Sequence, residues 1–202
     1  MNLGYVISTF IASLVLLSLV ALNSRIVRGS GEQTLYTMAK IQSDMVVDYL
    51  KDDMRSMGYR MDGNAITFAD TNRIRFHVRF EGDESPTAID WWFNTEADAV
   101  GQNSNIRPLY RKQVLVNDPT EVVSDFVIDS DAISIATGIV EFHLEYLDSS
   151  REVIDDPQNQ LENIRQIRLR MIVENLESYD SRNQYVRSTW RGEITPFNLN
   201  SN

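Results

Sequence analysis

The apolar pattern changes character twice along the chain. Residues 1–24, MNLGYVISTFIASLVLLSLVALNS, hold no charged side chain, and the first charge is Arg25. From Leu3 to Leu22 the run is about 20 residues, enough as a helix for the roughly 30 Å of hydrocarbon in a bilayer. Its polar members Ser8, Thr9, Ser13 and Ser18 are single hydroxyls, which bond back to the preceding turn and cost little in lipid. A cleaved secretory signal needs a basic start and a shorter apolar stretch. Neither is present, so the pattern predicts a retained membrane helix.

After Gly29-Ser30-Gly31 the apolar positions resume as Leu35, Met38, Ile41, Met45, Tyr49, Met54 and Met57, with Val46 and Leu50 widening the stripe. Steps of three, four and five predict an amphipathic helix of about two dozen residues, its stripe packed against the rest of the chain. Lys40, Gln42, Ser43, Asp44, Asp48, Lys51, Asp52 and Asp53 are assigned to the other faces, and Gly58 to the stop. The Met-rich stripe is read as packing surface rather than as a cofactor or metal site. Gly29 and Gly31 mark a hinge or a melted turn unless neighbouring residues carry the helix through, in which case residues 5–57 form a rod of about 80 Å.

Beyond Gly58 the period falls to two. Residues 64–69 and 73–80 flank the polar turn Asp70-Thr71-Asn72 and predict a hairpin. In its second strand Ile74, Phe76, Val78 and Phe80 alternate with Arg73, Arg75, His77 and Arg79, so one face is expected buried and the other basic. Further strands are expected at 89–93, 106–114, 122–128, 132–136, 139–147, 164–174 and 185–194. Within them Val140, Phe142, Leu144 and Tyr146, and then Ile167, Leu169, Met171 and Val173, point inward. The outward residues Glu141 and Glu145 on one strand and Arg168 and Arg170 on another predict adjacent antiparallel strands. The fold class is therefore α+β: a long N-terminal helix, transmembrane then amphipathic, packed on an antiparallel sheet. Residues 1–24 form the leader and span, 25–58 the amphipathic extension and 59–202 the β-rich domain.

Charge narrows the partners. Lys and Arg number 19 against 29 Asp and Glu, a net charge of −10, which disfavours nucleic acid. There is no cysteine and only two histidines, so thiol chemistry, cysteine-held metals and clustered imidazoles are excluded. His77 and His143 sit on alternating strands and read as ordinary solvent-facing residues. The loop Asp148–Asp156 has oxygen donors without the spacing of a dedicated calcium loop. Trp91-Trp92-Phe93 reads as sheet core with one ring on the outer face. No phosphate loop, nucleophile elbow or zinc-binding motif occurs, so no enzyme, cofactor or metal is expected.

The order of these parts resembles the type IV pilin-like proteins, most closely the J-type pseudopilins of type II secretion and the W-type minor pilins. The resemblance rests on Met1-Asn2-Leu3-Gly4 before an apolar helix, and on the helix close Leu50-Lys51-Asp52-Asp53-Met54-Arg55-Ser56-Met57-Gly58-Tyr59. It continues in Leu109-Tyr110-Arg111, the strand Phe142 to Asp148, the arginine-rich strand from Ile164, and Trp190 followed by Thr195-Pro196-Phe197-Asn198-Leu199. It implies cleavage between Gly4 and Tyr5, a methylated Tyr5, and a sheet domain outside the cytoplasmic membrane. The positive-inside bias of Arg25 and Arg28 points the other way. Thr9 stands where the family carries a glutamate.

The expected role is a minor pilin or pseudopilin. Other pilin-like subunits would meet it through the helix at Tyr5, Thr9, Leu14 and Leu17, and inner-membrane lipid would hold it before assembly. Leu35, Met38, Ile41, Met45 and Tyr49 are the expected helix–sheet contacts. The alternatives are a monomeric, single-span binding protein facing outward, and a tethered hydrolase using the loop carboxylates.

Overall fold

The computed structural model describes residues 3–61, 65–116, 132–178 and 184–199. Helix α1 runs unbroken over Leu3–Ser56, 54 residues, about 81 Å long. Gly29 and Gly31 lie inside it without a break, and nothing lies within 4 Å of where their side chains would start. The residues flanking them therefore carry the helix through. Thr9, Ser13, Ser18, Thr34 and Thr37 each donate a hydrogen bond to the carbonyl four residues earlier, at 2.8–2.9 Å.

Among the described residues seven strands follow: β1 (Ile66–Asp70), β2 (Arg73–Val78), β3 (Thr87–Phe93), β4 (Arg107–Leu115), β5 (Ala132–Leu147), β6 (Gln166–Glu174) and β7 (Arg187–Ile194). They form one antiparallel sheet in chain order, so every connection joins neighbours. The expected strand 122–128 lies outside the described residues. The expected strands 132–136 and 139–147 are one, because Gly138, at φ +106°, bends the chain within β5 instead of ending it. β5 is the joint of the sheet: its first part pairs with β4 and its part from Ile139 onward with β6. Beside that second part the β1–β2 turn docks, Leu144 donating its N–H to the Thr71 carbonyl (2.7 Å) and the Tyr146 hydroxyl donating to the Asp70 carbonyl (2.8 Å).

One sheet face and the second half of α1 enclose the core. Ile74, Phe76, Ile89, Trp91, Phe93, Leu109, Phe142, Leu144, Ile167, Leu169, Met171 and Val173 meet Val46, Val47, Leu50, Met54 and Met57. The end of the helix is fastened there: the Gly58 N–H donates to the His77 carbonyl (2.9 Å), and the Asn198 side chain donates to the Met57 carbonyl (3.3 Å). The second satisfies a carbonyl of the kind that a helix C-terminus leaves open.

β2 corrects a second expectation. Its basic face is not solvated: Arg73, Arg75 and His77 are all buried. Arg73 donates two hydrogen bonds to the Asp90 carboxylate on β3 (3.1 and 2.7 Å) and covers the Phe68 ring. His77 is fully buried and, among the described residues, neither ring nitrogen has a hydrogen-bond partner. Burial first, and the Arg75 charge second, lower its pKa from 6.5. A neutral native histidine gives stability that is present above the unfolded-state value near 6.5 and declines as pH falls below it. Wild type should lose up to about 1.4 kcal/mol per pH unit there, and His77→Met should not. Denaturant midpoints of both chains in detergent between pH 7.5 and 5 test this; parallel curves would refute it.

Candidate assembly surface and helix lock

Every residue from Leu3 to Thr34 is exposed. The apolar part has a mean hydropathy of 2.4 over its best 18 residues, none of them buried. This helix is long and apolar enough to cross a membrane. Tyr5, Thr9, Leu14 and Leu17 all lie on it without contact to the sheet. As an isolated rod in water it would expose far more contiguous apolar surface than a soluble monomer tolerates.

The packing stripe differs from the expected one. Met38, Ile41 and Met45 are 58%, 55% and 68% exposed, and so do not pack on the sheet. Leu35 is half-buried and its carbonyl accepts the Asn175 side chain (3.0 Å). Tyr49 is 44% exposed yet meets the edge of Trp91, with centroids 5.8 Å apart. The face on the sheet is instead Ala39, Ser43, Val46, Val47, Leu50, Asp53 and Met54. Small residues at 39 and 43 let the backbones approach closely. With about 100° per residue, the two apolar stripes lie about 120° apart around the helix. Periodicity found both but could not rank them, because only the sheet decides which one is covered.

Asp53, assigned from sequence to an outer face, is buried at the centre of the helix–sheet contact. Its carboxylate accepts two hydrogen bonds from Arg111 of β4 (Nε 2.6 Å, Nη2 3.1 Å) and one from the Trp91 indole of β3 (2.8 Å). Register places Arg111 directly opposite Trp91 on the core face. Tyr49 caps the cluster, its ring 5.1 Å from the guanidinium. Burial alone would lower the Arg111 pKa, but the Asp53 carboxylate raises it, so the guanidinium stays charged. A planar fork fully matched by a carboxylate sets one rotation and one height of the helix on the sheet.

A second polar knot lies at the end of β6, next to the Asn175 that reaches the helix at Leu35. Glu174 on β6 accepts from Asn103 (2.8 Å), from Arg187 and from Asn105 (3.4 Å). Although burial favours its neutral form, these donors lower the Glu174 pKa, so it remains ionised. Outside the core, the complementary rows expected from sequence meet: Arg168 bridges Glu145 and Glu193 (2.8 and 2.9 Å), and Arg170 pairs with Glu141 (3.1 Å). His143 is half-exposed, 3.9 Å from Glu145.

The acidic loop has a structural use. Asp148 accepts the Ser150 and Glu152 N–H groups (2.8 and 3.0 Å) and so closes its own turn. Among the described residues, no group of three or more such side chains is placed to hold a metal ion. Of Trp91-Trp92-Phe93, the first and third enter the core, and Trp92 stacks on Tyr110 on the opposite face (6.0 Å).

The described geometry thus offers an apolar rod without a partner and a sheet domain rigidly keyed to its other end. No family model matches the chain, and no curated protein matches it.

Proposed function

We propose that this chain is a structural subunit that assembles through its N-terminal helix, in the manner of a minor pilin or pseudopilin. The observation that supports it most is the 54-residue helix whose first part is apolar and bare and whose second part is clamped on a sheet. A membrane anchor alone needs about 20 residues. Here the helix continues as one rigid piece into the folded domain, so a force or position applied to the apolar end is transmitted to the sheet. Lipid can store the rod before assembly, and side-by-side packing with other apolar helices can replace lipid without exposing it to water. The Asp53–Arg111 clamp then holds each sheet domain at a fixed angle to its rod, which a regular outer shell requires. On this reading the protein works by position and not by catalysis, with the sheet domain outside the cytoplasmic membrane.

N-terminal mass spectrometry of the protein from cells carrying a prepilin peptidase tests the reading. The expected mature chain starts at Tyr5 with one added methyl group and is recovered in sedimentable assemblies. An intact amino terminus on a chain that runs as a monomer in mild detergent would instead favour a single-span anchored binder.

A further inference from the structure

Three of the four exposed apolar side chains in the stripe Met38, Ile41, Met45 and Tyr49 stand clear of the sheet, and lipid does not reach them. Met38 lies 16 residues beyond Leu22, about 24 Å along the helix and outside the hydrocarbon that Leu3–Leu22 already fills. On the stripe's C-terminal edge Asp52 is exposed, and among the described residues its only ionic neighbour is Arg55 at 3.9 Å. Elsewhere on the same helix, Arg25 and Arg28 are exposed and have no ionic partner among the described residues.

These features share one spacing. Leu14, Leu17, Ala21, Arg25 and Arg28 follow one another at steps of three, four, four and three; so do Met38, Ile41, Met45, Tyr49 and Asp52, each 24 positions later. Both sets are helix faces of the three–four type that interdigitate in near-parallel helix pairs. Twenty-four residues turn the helix by about 240°, so the two faces look in different directions.

We infer that the stripe Met38–Asp52 is the seat for a second copy of this chain, docked parallel and shifted outward by 24 residues, about 36 Å. Leu14, Leu17 and Ala21 of the outer copy then lie level with Met38, Ile41 and Met45 of the inner one. Arg28 faces Asp52, and Arg25 lies against the exposed Tyr49 ring. One shift satisfies the apolar and the ionic matches together.

The stretches of helix that the two sheets hold do not overlap at this shift. The outer copy's sheet first ties to its helix at Leu35, level with residue 59 of the inner copy and just past the end of the inner helix at Ser56. The inner copy's own sheet occupies the face about 120° from the stripe. Two different faces in contact make a heterologous, open-ended array, because each added copy presents the same free stripe. This register rests on the assembly reading above and adds the residues that set it.

The chain has no cysteine, so engineered pairs report cleanly. In the full chain recovered as sedimentable assemblies from cells, where the outer copy has left the bilayer, Leu17→Cys/Ile41→Cys should give a ladder of disulfide-linked multimers on mild oxidation. Within one molecule these positions are about 36 Å apart on a rigid helix, far beyond the roughly 7 Å a disulfide spans, so every link joins two copies. Arg28→Asp or Asp52→Arg alone should weaken the ladder at least fivefold, and the two together should restore it. A ladder of equal strength from the out-of-register pair Leu17→Cys/Thr34→Cys, or dimers from Ile41→Cys alone, would overturn the register and leave assembly standing. Absence of multimers from every pair, with a monomer in detergent, would overturn both.

Discussion

Asp53→Ala should destabilise the folded domain by about 3–5 kcal/mol, because it leaves the Arg111 guanidinium buried with no counter-charge. Arg111 and Asp53 have side chains only 9% and 11% exposed, so water cannot replace the lost carboxylate. The Trp91 indole N–H would lose its acceptor as well, adding a second unsatisfied buried donor. The double variant Asp53→Leu/Arg111→Met removes both charges and should recover most of the loss, since apolar replacement of a buried ion pair is close to neutral. Tryptophan fluorescence during denaturant unfolding of the detergent-solubilised chain reads this directly. Equal losses in the single and double variants would mean that the site acts through packing and not through the ion pair. The functional consequence is separable from stability: without the clamp the helix should keep its membrane insertion while the sheet loses its set angle.

Gly138→Ala should cost about 3 kcal/mol, from two separate causes. The residue has φ +106°, a conformation that L side chains rarely adopt. A methyl group there would also stand 2.8 Å from the Glu174 carbonyl oxygen and 3.2 Å from the Gln42 side chain. The carbonyl belongs to β6 and cannot swing aside without moving the strand that carries the Glu174 knot. Gly82→Ala is the matched control, with φ +92° and nothing within 4 Å of its added carbon. It should lose about 1 kcal/mol, from backbone strain alone. If the two substitutions cost the same, the close approach of α1, β5 and β6 at Gly138 carries no energetic weight.

Much of this architecture follows from local pattern. The bare span, the hairpin about Thr71-Asn72, the inward rows of β5 and β6 and the matching charges of Glu145 and Arg168 can be read residue by residue. They arise from helical or strand periodicity and from direct cross-strand neighbours, whose partners are implied by the element itself. The buried arginines of β2 were not legible, because an alternating Arg–apolar strand has the same sequence whether its second face meets water or protein. Asp53 was misassigned for a related reason: an Asp52-Asp53 pair on a helix is usually solvated, and its partner Arg111 lies 58 residues away. The one available sign was the break in the apolar spacing, since Val46, Leu50 and Met57 with residue 53 make a regular face that an aspartate interrupts.

By itself the amino-acid order determined a helix greasy on every side, an amphipathic helix after it and an antiparallel sheet beyond, while the structure decided that Gly29 and Gly31 join the two helices into one rod. Only the folded arrangement decided which side of the rod meets that sheet, and hence which apolar side chains stay free. Residue spacing creates a face, but a face becomes interior only when something else covers it, and here Ala39, Ser43 and the Arg111 fork admit one rotation of the helix.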